Sequence, residues 1–526
     1  MRAARLLALL APAPLLAQSA AHAPETIHSR GNPILADGRY YSTDPAPFVD
    51  GDTLWILAGR DEAPAGVNDF IMNEWQLLST TDPASGIWRY YCSVARPEAV
   101  FAWAEPGRAY AGQIVRGADG RFYLYAPVLQ RESAATKGVQ DRFAIGVAVA
   151  ASPTGPWRDA HPAGPIVSQR VPVANAIQNI DPTVMIDDDR RVYLYWGTFG
   201  QLRAMELAAD MTTPKGPERV IGGATGFFEA PWLMKRRGTY YLLYAANDAG
   251  PDSACTPAVY HAGQAYATAP TPMGPWTYRG VLLRPVSSTT SHAGAVAFRG
   301  KWYLAYHTAD AAGGGHFRRS VAIDPMEWDD SVSPPAIRPV TPTRAPGPPP
   351  EPTRNVARAA VATASNLPVP VQYWIAALND GVVRAAPLPP DMWGTWTGHN
   401  PARAWFEYRW PAAVTVNASR IRFFADHPAG SGEGVAPPAR WHLEYWRNGW
   451  RPLPGAGPYG TAADRFVTVR FPAITTRCLR AVFDASGAKG SHAGIGVQEW
   501  EALAPAAVAP PRRPAGTVAA CGTSGS

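Results

Sequence analysis

The chain has 526 residues, with 48 Lys+Arg against 42 Asp+Glu and a formal net charge of +6. That length is too great for one hydrophobic core and predicts two domains, while the thinly spread basic excess, with no dense Lys/Arg run, argues against nucleic acid as a partner. Nineteen Trp beside only 17% charged residues suit a β-rich protein whose rings fill a core or stack on neutral sugar faces.

Residues 1–23, MRAARLLALLAPAPLLAQSAAHA, carry a basic start at Arg2 and Arg5, an apolar centre, and an A-x-A step at Ala21-His22-Ala23. This pattern predicts a secretory signal peptide and a mature protein, from Pro24, that is secreted or periplasmic. No other run is long and apolar enough to predict a membrane span.

Residues 24–343 repeat one plan five times. Each copy is a β-hairpin with an aromatic second strand, and those strands begin at 54, 122, 192, 240 and 302. Three copies continue to a Trp after a turn: Trp88, Trp157 and Trp276. Repeats of several short strands, none able to bury both faces alone, predict a five-bladed β-propeller. In the first, third and fourth hairpins an acid precedes the fold-back: Asp44 in STDPAPF, Asp181 in NIDPTVM and Glu229 in FFEAPWL. The distances to the second strand match closely (44 to 54, 181 to 192, 229 to 240). Equivalent positions in different blades lie around one axis, so the three carboxylates are expected to meet in one central pocket.

These motifs resemble glycoside hydrolase family 43 and its five-bladed propellers. The resemblance implies an inverting glycosidase acting on arabinose- or xylose-containing polysaccharides or oligosaccharides, of α-L-arabinofuranosidase or β-xylosidase type. It implies Asp44 as general base, Glu229 as general acid and Asp181 as the group that tunes the acid's pKa and orients it. It also implies substrate contacts from Asp69, in the loop GRDEAPAGVNDF that also holds Asp61 and Asn68, and from Trp103, whose segment reads W-A-E where the family reads W-A-P. The segment HFRRSVAIDPMEW resembles one whose arginine enters the active site, and counting back from Trp328 favours Arg319 over Arg318. His292 opens the fifth hairpin, where the family places an imidazole near a calcium ion or a water cluster. Calcium prefers oxygen ligands, so one imidazole is at most part of a largely hydrated site. No cofactor is required for the implied chemistry.

Two other readings stay open from the sequence: a non-catalytic carbohydrate-binding propeller, which does not need three aligned acids, and a retaining fructan-type hydrolase. The latter's first-blade signature is W-M-N-D-P, whereas this chain has Y-S-T-D-P.

Residues 344–353 are a Pro-rich linker, expected to be extended. From 354 to 503 short alternating strands predict an antiparallel β-sandwich, giving an all-β chain overall. This part resembles discoidin, or factor 5/8 type C, modules, on NVARAAVATAS, ALNDG, WFEYRW and GVQEWEAL. The resemblance implies a module that binds carbohydrate, as such modules often do, with Trp393, Trp396 and Trp450 as candidate contacts, and removing it is expected to spare hydrolysis of small substrates. Residues 504–526 are expected to be disordered. Cys92, Cys255, Cys478 and Cys521 fit no metal spacing, and the sequence does not choose among their three pairings.

Overall fold

The computed structural model describes residues 24–171, 176–246, 263–284, 286–287, 290–344, 354–366, 373–397, 399–488 and 490–505. Residues 1–23, on which the expected signal peptide falls, nearly all of the Pro-rich segment 344–353, Cys255, Cys521 and nearly all of residues 504–526 lie outside them. The protein is all-β. Five antiparallel sheets follow one another in chain order. Their innermost strands are Thr43–Asp50, Gln113–Arg116, Thr183–Ile186, Phe227–Arg236 and Ala293–Phe298. Each inner strand touches the next, and the fifth returns to the first. This is the five-bladed propeller that the repeats predict.

The blades differ at their rims. The first has five strands, with Glu25–His28 added outside Ile87–Ala95. The fifth has three. Along its third strand, Ser320–Pro325, runs the start of the domain: Asn32 Nδ2 donates to Ile323 O at 2.9 Å, Asn32 Oδ1 accepts from Ile323 N at 2.9 Å, and Ile34 N donates to Val321 O at 2.8 Å. First and last blades are thereby stitched together. The same stitch holds Ser42 N to Arg319 O at 2.9 Å and Val321 N to Ser42 Oγ at 3.0 Å. It therefore fixes the two chain segments that carry Asp44 and Arg319 against each other.

The recurring Trp are core residues. Trp88, Trp157 and Trp276 are buried, each in a different hydrophobic cluster. Burying a ring of that size is a large apolar gain per residue, and each Trp closes the outer part of its blade.

Residues after 354 form a second antiparallel sheet system. Two long strands, Arg403–Phe424 and Phe466–Asp484, run through it with bulges near Arg409–Val414 and Val416–Ala418. Bulges bend a strand and add twist, so one hydrogen-bonded sheet curls around a core of its own that includes Phe406, Tyr408, Trp441, Phe483 and Trp500. Cys478 is disulfide-bonded, and Cys92 carries a free thiol. Among the described residues no helix is long and apolar enough to cross a membrane.

Candidate active site

Counting inward from each hairpin turn through the paired registers gives the true correspondence between blades. Asp44, Ala111, Asp181, Ala230 and His292 occupy one position in the five inner strands. Asp44, Asp181 and Ala230 share a left-handed backbone, with φ of 51°, 57° and 56°, each before a proline. Such a conformation costs a non-glycine residue energy and persists only where the surroundings enforce it. Glu229 lies one residue earlier than this position, where the first blade has Thr43. The equal spacings seen in the sequence have two causes: the third hairpin turn is one residue longer, and the acid of the fourth blade is one residue displaced. The longer Glu side chain reaches the same space from that displaced position.

That space is a pocket of about 530 Å³ on the propeller axis. Asp44, Asp181, Glu229, His292 and Arg319 all line it. Arg319 is buried and fully engaged. Its Nε and Nη2 donate to Asp61 Oδ2 and Oδ1 at 2.9 and 3.0 Å, and its Nη1 donates to Asp44 Oδ1 at 3.1 Å and Thr290 Oγ1 at 3.0 Å. Phe70 packs over the guanidinium, 5.0 Å from its ring centre. A planar fork held by one carboxylate presents its remaining nitrogen in a fixed direction.

The carboxyls are driven apart in protonation. Burial alone would raise the pKa of Asp44. The charge of Arg319, with the His307 and His292 rings beside it, outweighs burial and holds Asp44 far below the ordinary carboxylate range. Thr43 Oγ1 donates to the same oxygen at 3.0 Å. His307 Nδ1 lies 3.2 Å from both the backbone N and Oδ1 of Asp44, and its Nε2 lies 3.0 Å from Thr290 O. Glu229 goes the other way. Burial, with the charge of Asp44, pushes its pKa up to about 7, against a hydrogen bond from Thr198 Oγ1 at 2.9 Å and the pull of Arg319. Asp181 is also raised, by burial first and then by Glu229 and Asp44, although the Ala230 N–H donates to it at 3.1 Å. Near neutral pH the pocket thus holds one carboxylate that is firmly ionised and a carboxyl pair that retains protons. That is an acid and a base in one cavity.

His292 lies in the pocket with Nδ1 4.0 Å from Asp44 Oδ1, and burial lowers its pKa to about 4. The residues around it do not build a calcium cage, which needs six to eight oxygens. The nearby Asp44 oxygen is taken by Arg319, and among the described residues no group of three or more His, Cys, Asp and Glu gathers for a metal.

Two expected substrate contacts fall elsewhere. Trp103 is a packing residue: it lies against Phe101, and its Nε1 donates to Asp159 Oδ2 at 3.2 Å, outside the pocket. Asp69 sits at the loop surface and pairs with Arg108 at 3.2 Å. The acid of that loop that reaches Arg319 is Asp61, which follows the strand Thr53–Gly59 almost at once and is 3% exposed. The sugar-sized aromatic surface comes instead from Phe70, Tyr110, Phe199, Phe228 and Phe317. Phe199 is 68% exposed and stands edge-on to Phe228 at 5.6 Å. An exposed aromatic right after a strand end, in WGTFG, was the available signal for it.

Three further pocket residues, Leu388, Pro389 and Pro390, come from beyond the Pro-rich linker. In that second region Trp393 is buried, Trp450 lies 3.8 Å over the Arg480 guanidinium, and Trp396 is 39% exposed beside a small cavity with His399, Asn400 and His492.

A sequence model described as "Glycosyl hydrolases family 43" matches residues 31–333. A xylosidase/arabinosidase of Bacteroides ovatus is 30% identical over 339 residues, covering 55% of this chain and 92% of that protein. A beta-xylosidase of Xylanibacter ruminicola is 30% identical over 252 residues, covering 40% of this chain and 69% of that protein. An arabinoxylan arabinofuranohydrolase of Bacillus subtilis (strain 168) is 31% identical over 297 residues, covering 51% and 52%.

Proposed function

This chain belongs to glycosyl hydrolase family 43, and from that premise we propose that it hydrolyses arabinose- or xylose-containing oligosaccharides and polysaccharides with inversion of configuration. The observation that carries the reading is the opposed protonation of Asp44 and Glu229 in one pocket. Cleavage of a glycoside needs an acid at the leaving oxygen and a base at a water on the other side of the anomeric carbon. Glu229 supplies the proton: it passes to the glycosidic oxygen as the bond from that oxygen to the anomeric carbon breaks. Asp44 accepts a proton from the water whose oxygen forms the new bond. Asp181 accepts from the Ala230 N–H at 3.1 Å and so holds the backbone beside Glu229, orienting the acid. Arg319 keeps Asp44 ionised. No cofactor enters this sequence of steps. Names of relatives that combine xylose and arabinose support the pentose class.

The same reading places the enzyme outside the cytoplasm, on the strength of residues 1–23, with a catalytic unit over 24–343 and a discoidin-like unit over 354–503. The latter's separate core and antiparallel order support that division, and Trp396 is its best-exposed candidate for a sugar contact. A panel of aryl α-L-arabinofuranosides and β-D-xylosides, with linear arabinan, tests the activity. Turnover of at least one pentoside is expected, and silence on all of them would remove the reading.

A further inference from the structure

The second region does more than follow the propeller. Its segment 384–391 is anchored on the propeller beside the active pocket. Asp391 Oδ1 accepts from Arg384 Nε at 2.8 Å and pairs with His316 Nε2 of the propeller at 2.6 Å, while Asp391 Oδ2 accepts from Leu388 N at 3.1 Å. Arg384 Nη1 donates across to Gly314 O at 2.7 Å, and Asn68 Nδ2 donates across to Ala386 O at 3.0 Å. The core of the anchor is dry: the His316 and Asp391 side chains are 4% and 8% exposed. Burial pushes the Asp391 pKa up, but His316 and Arg384 outweigh it and keep the carboxylate ionised. Between these tethers Leu388, Pro389 and Pro390 line the pocket.

The tethers fix the side on which this segment stands. Asn68 belongs to the loop after the first blade's second strand, and Gly314 and His316 belong to the loop that leads into Arg319. Those are the blades of Asp44 and Arg319. The wall of the pocket beside Glu229 is formed differently, by Thr198, Phe199 and Phe228. In the displacement proposed above, the leaving oxygen must face Glu229, and water must approach from the side of Asp44. The sugar that is released therefore lies towards Asp44, and the remainder of the chain extends past Glu229 and the exposed Phe199. Leu388-Pro389-Pro390 then closes the pocket behind the released sugar. Proline has a fixed φ and no backbone N–H, so the wall is stiff and Pro389 and Pro390 offer the sugar no backbone donor.

We infer that residues 388–390 of the C-terminal region form the end wall of the substrate pocket, where they receive the terminal non-reducing pentose and restrict cleavage to single sugars. This inference rests on the proposed pentosidase activity. It also reverses the expectation that the second region is dispensable for small substrates.

The test uses the full-length protein and the triple variant L388A/P389G/P390G, with L388A alone as a milder change, on an aryl pentoside that the wild type cleaves and on the matching linear pentose oligosaccharide labelled at its reducing end. Wild type should release only monosaccharide from the unlabelled end. In the triple variant KM for the aryl pentoside should rise roughly tenfold, the loss of one apolar contact, with kcat changed far less, and labelled products shortened by two or more sugars should appear at early times. L388A should raise KM in the same direction by a smaller factor and is read in its place if the triple variant does not fold. Unchanged KM and strictly single-sugar release in a folded variant would overturn the end wall while leaving the pentosidase reading intact. A wild type without turnover on any pentoside would remove that reading first, and the wall's role with it.

Discussion

Arg319 Nη1 donates to Asp44 Oδ1 at 3.1 Å while Asp61 grips the other edge of the same guanidinium through both carboxylate oxygens. Asp61 also accepts from the Arg319 backbone N–H at 2.9 Å. The charge that keeps Asp44 ionised is therefore aimed by a residue that does not itself line the pocket. Asp61→Asn should release this aim. We expect kcat/KM to fall about a hundredfold, the scale of a misplacement near 1 Å, and the acid limb of its pH profile to move to higher pH, because a less tightly held Arg319 leaves Asp44 easier to protonate. A variant with lower activity and an unmoved acid limb would make Asp61 merely structural.

The two reacting carboxyls should fail differently. Glu229→Gln should lower kcat on natural linkages by roughly 10²–10⁴ and spare aryl glycosides whose leaving groups need little protonation. Asp44→Asn should be inactive on both kinds of substrate, since nothing then activates water. Steady-state kinetics on a series of aryl pentosides of graded leaving-group pKa separates the cases: the Glu229 variant should show a steep dependence on leaving group. In the wild type, kcat/KM should decline as pH rises through about 7, where Glu229 loses its proton.

Asp181 acts through its neighbour. Its own pKa is raised by burial and then by the charges of Glu229 and Asp44, and it accepts from the N–H of Ala230, next to Glu229, at 3.1 Å. Asp181 keeps its proton where Glu229 titrates, so Asp181→Asn removes no charge there. The alkaline limb should stay near its wild-type position, while kcat falls but remains measurable because the backbone beside the acid is less well held. An alkaline limb that moves to lower pH would show instead that Asp181 is ionised there and raises Glu229 by its charge.

The same shift is written into stability. The pKa of Glu229 stands at about 7 in the folded protein and near 4.3 when unfolded. Folding therefore favours the proton. This contribution is complete below the unfolded value and disappears as pH rises through the folded one. Glu229→Gln should raise Tm relative to wild type at pH 8 and leave it nearly unchanged at pH 4. Asp181, raised in the same sense, keeps part of the slope in the variant. Thermal melts across this range check the difference.

Much of the architecture was legible because it repeats. Five hairpins with aromatic second strands and three recurring Trp are periodic signals, and a propeller needs no long-range information beyond that period. Asp44, Asp181, Glu229 and Arg319 were legible as motifs, and the structure brings all four together. What was not legible depends on where loops go. Asp61 and Asp69 share one loop and one chemistry, and only the fold places the first under Arg319 and the second against Arg108. Trp103 is as good a sugar platform on paper as Phe199, but it packs against Phe101 outside the pocket that Phe199 lines. The correspondence of Glu229 with the other acids rested on a spacing that two one-residue changes happen to equalise. Leu388, Pro389 and Pro390 have no sequence signal at all, since their role comes from docking of one region on another.

The stereochemistry of the first product tests the central claim most directly. Proton NMR of the earliest phase of hydrolysis of an aryl pentoside, before mutarotation, reads the anomeric configuration released. Asp44 as a base acting on water, opposite Glu229 as acid, predicts a single displacement and a first product of inverted configuration. A first product of retained configuration would show that a carboxylate attacks the anomeric carbon itself, and would contradict the assignment of Asp44 as the base.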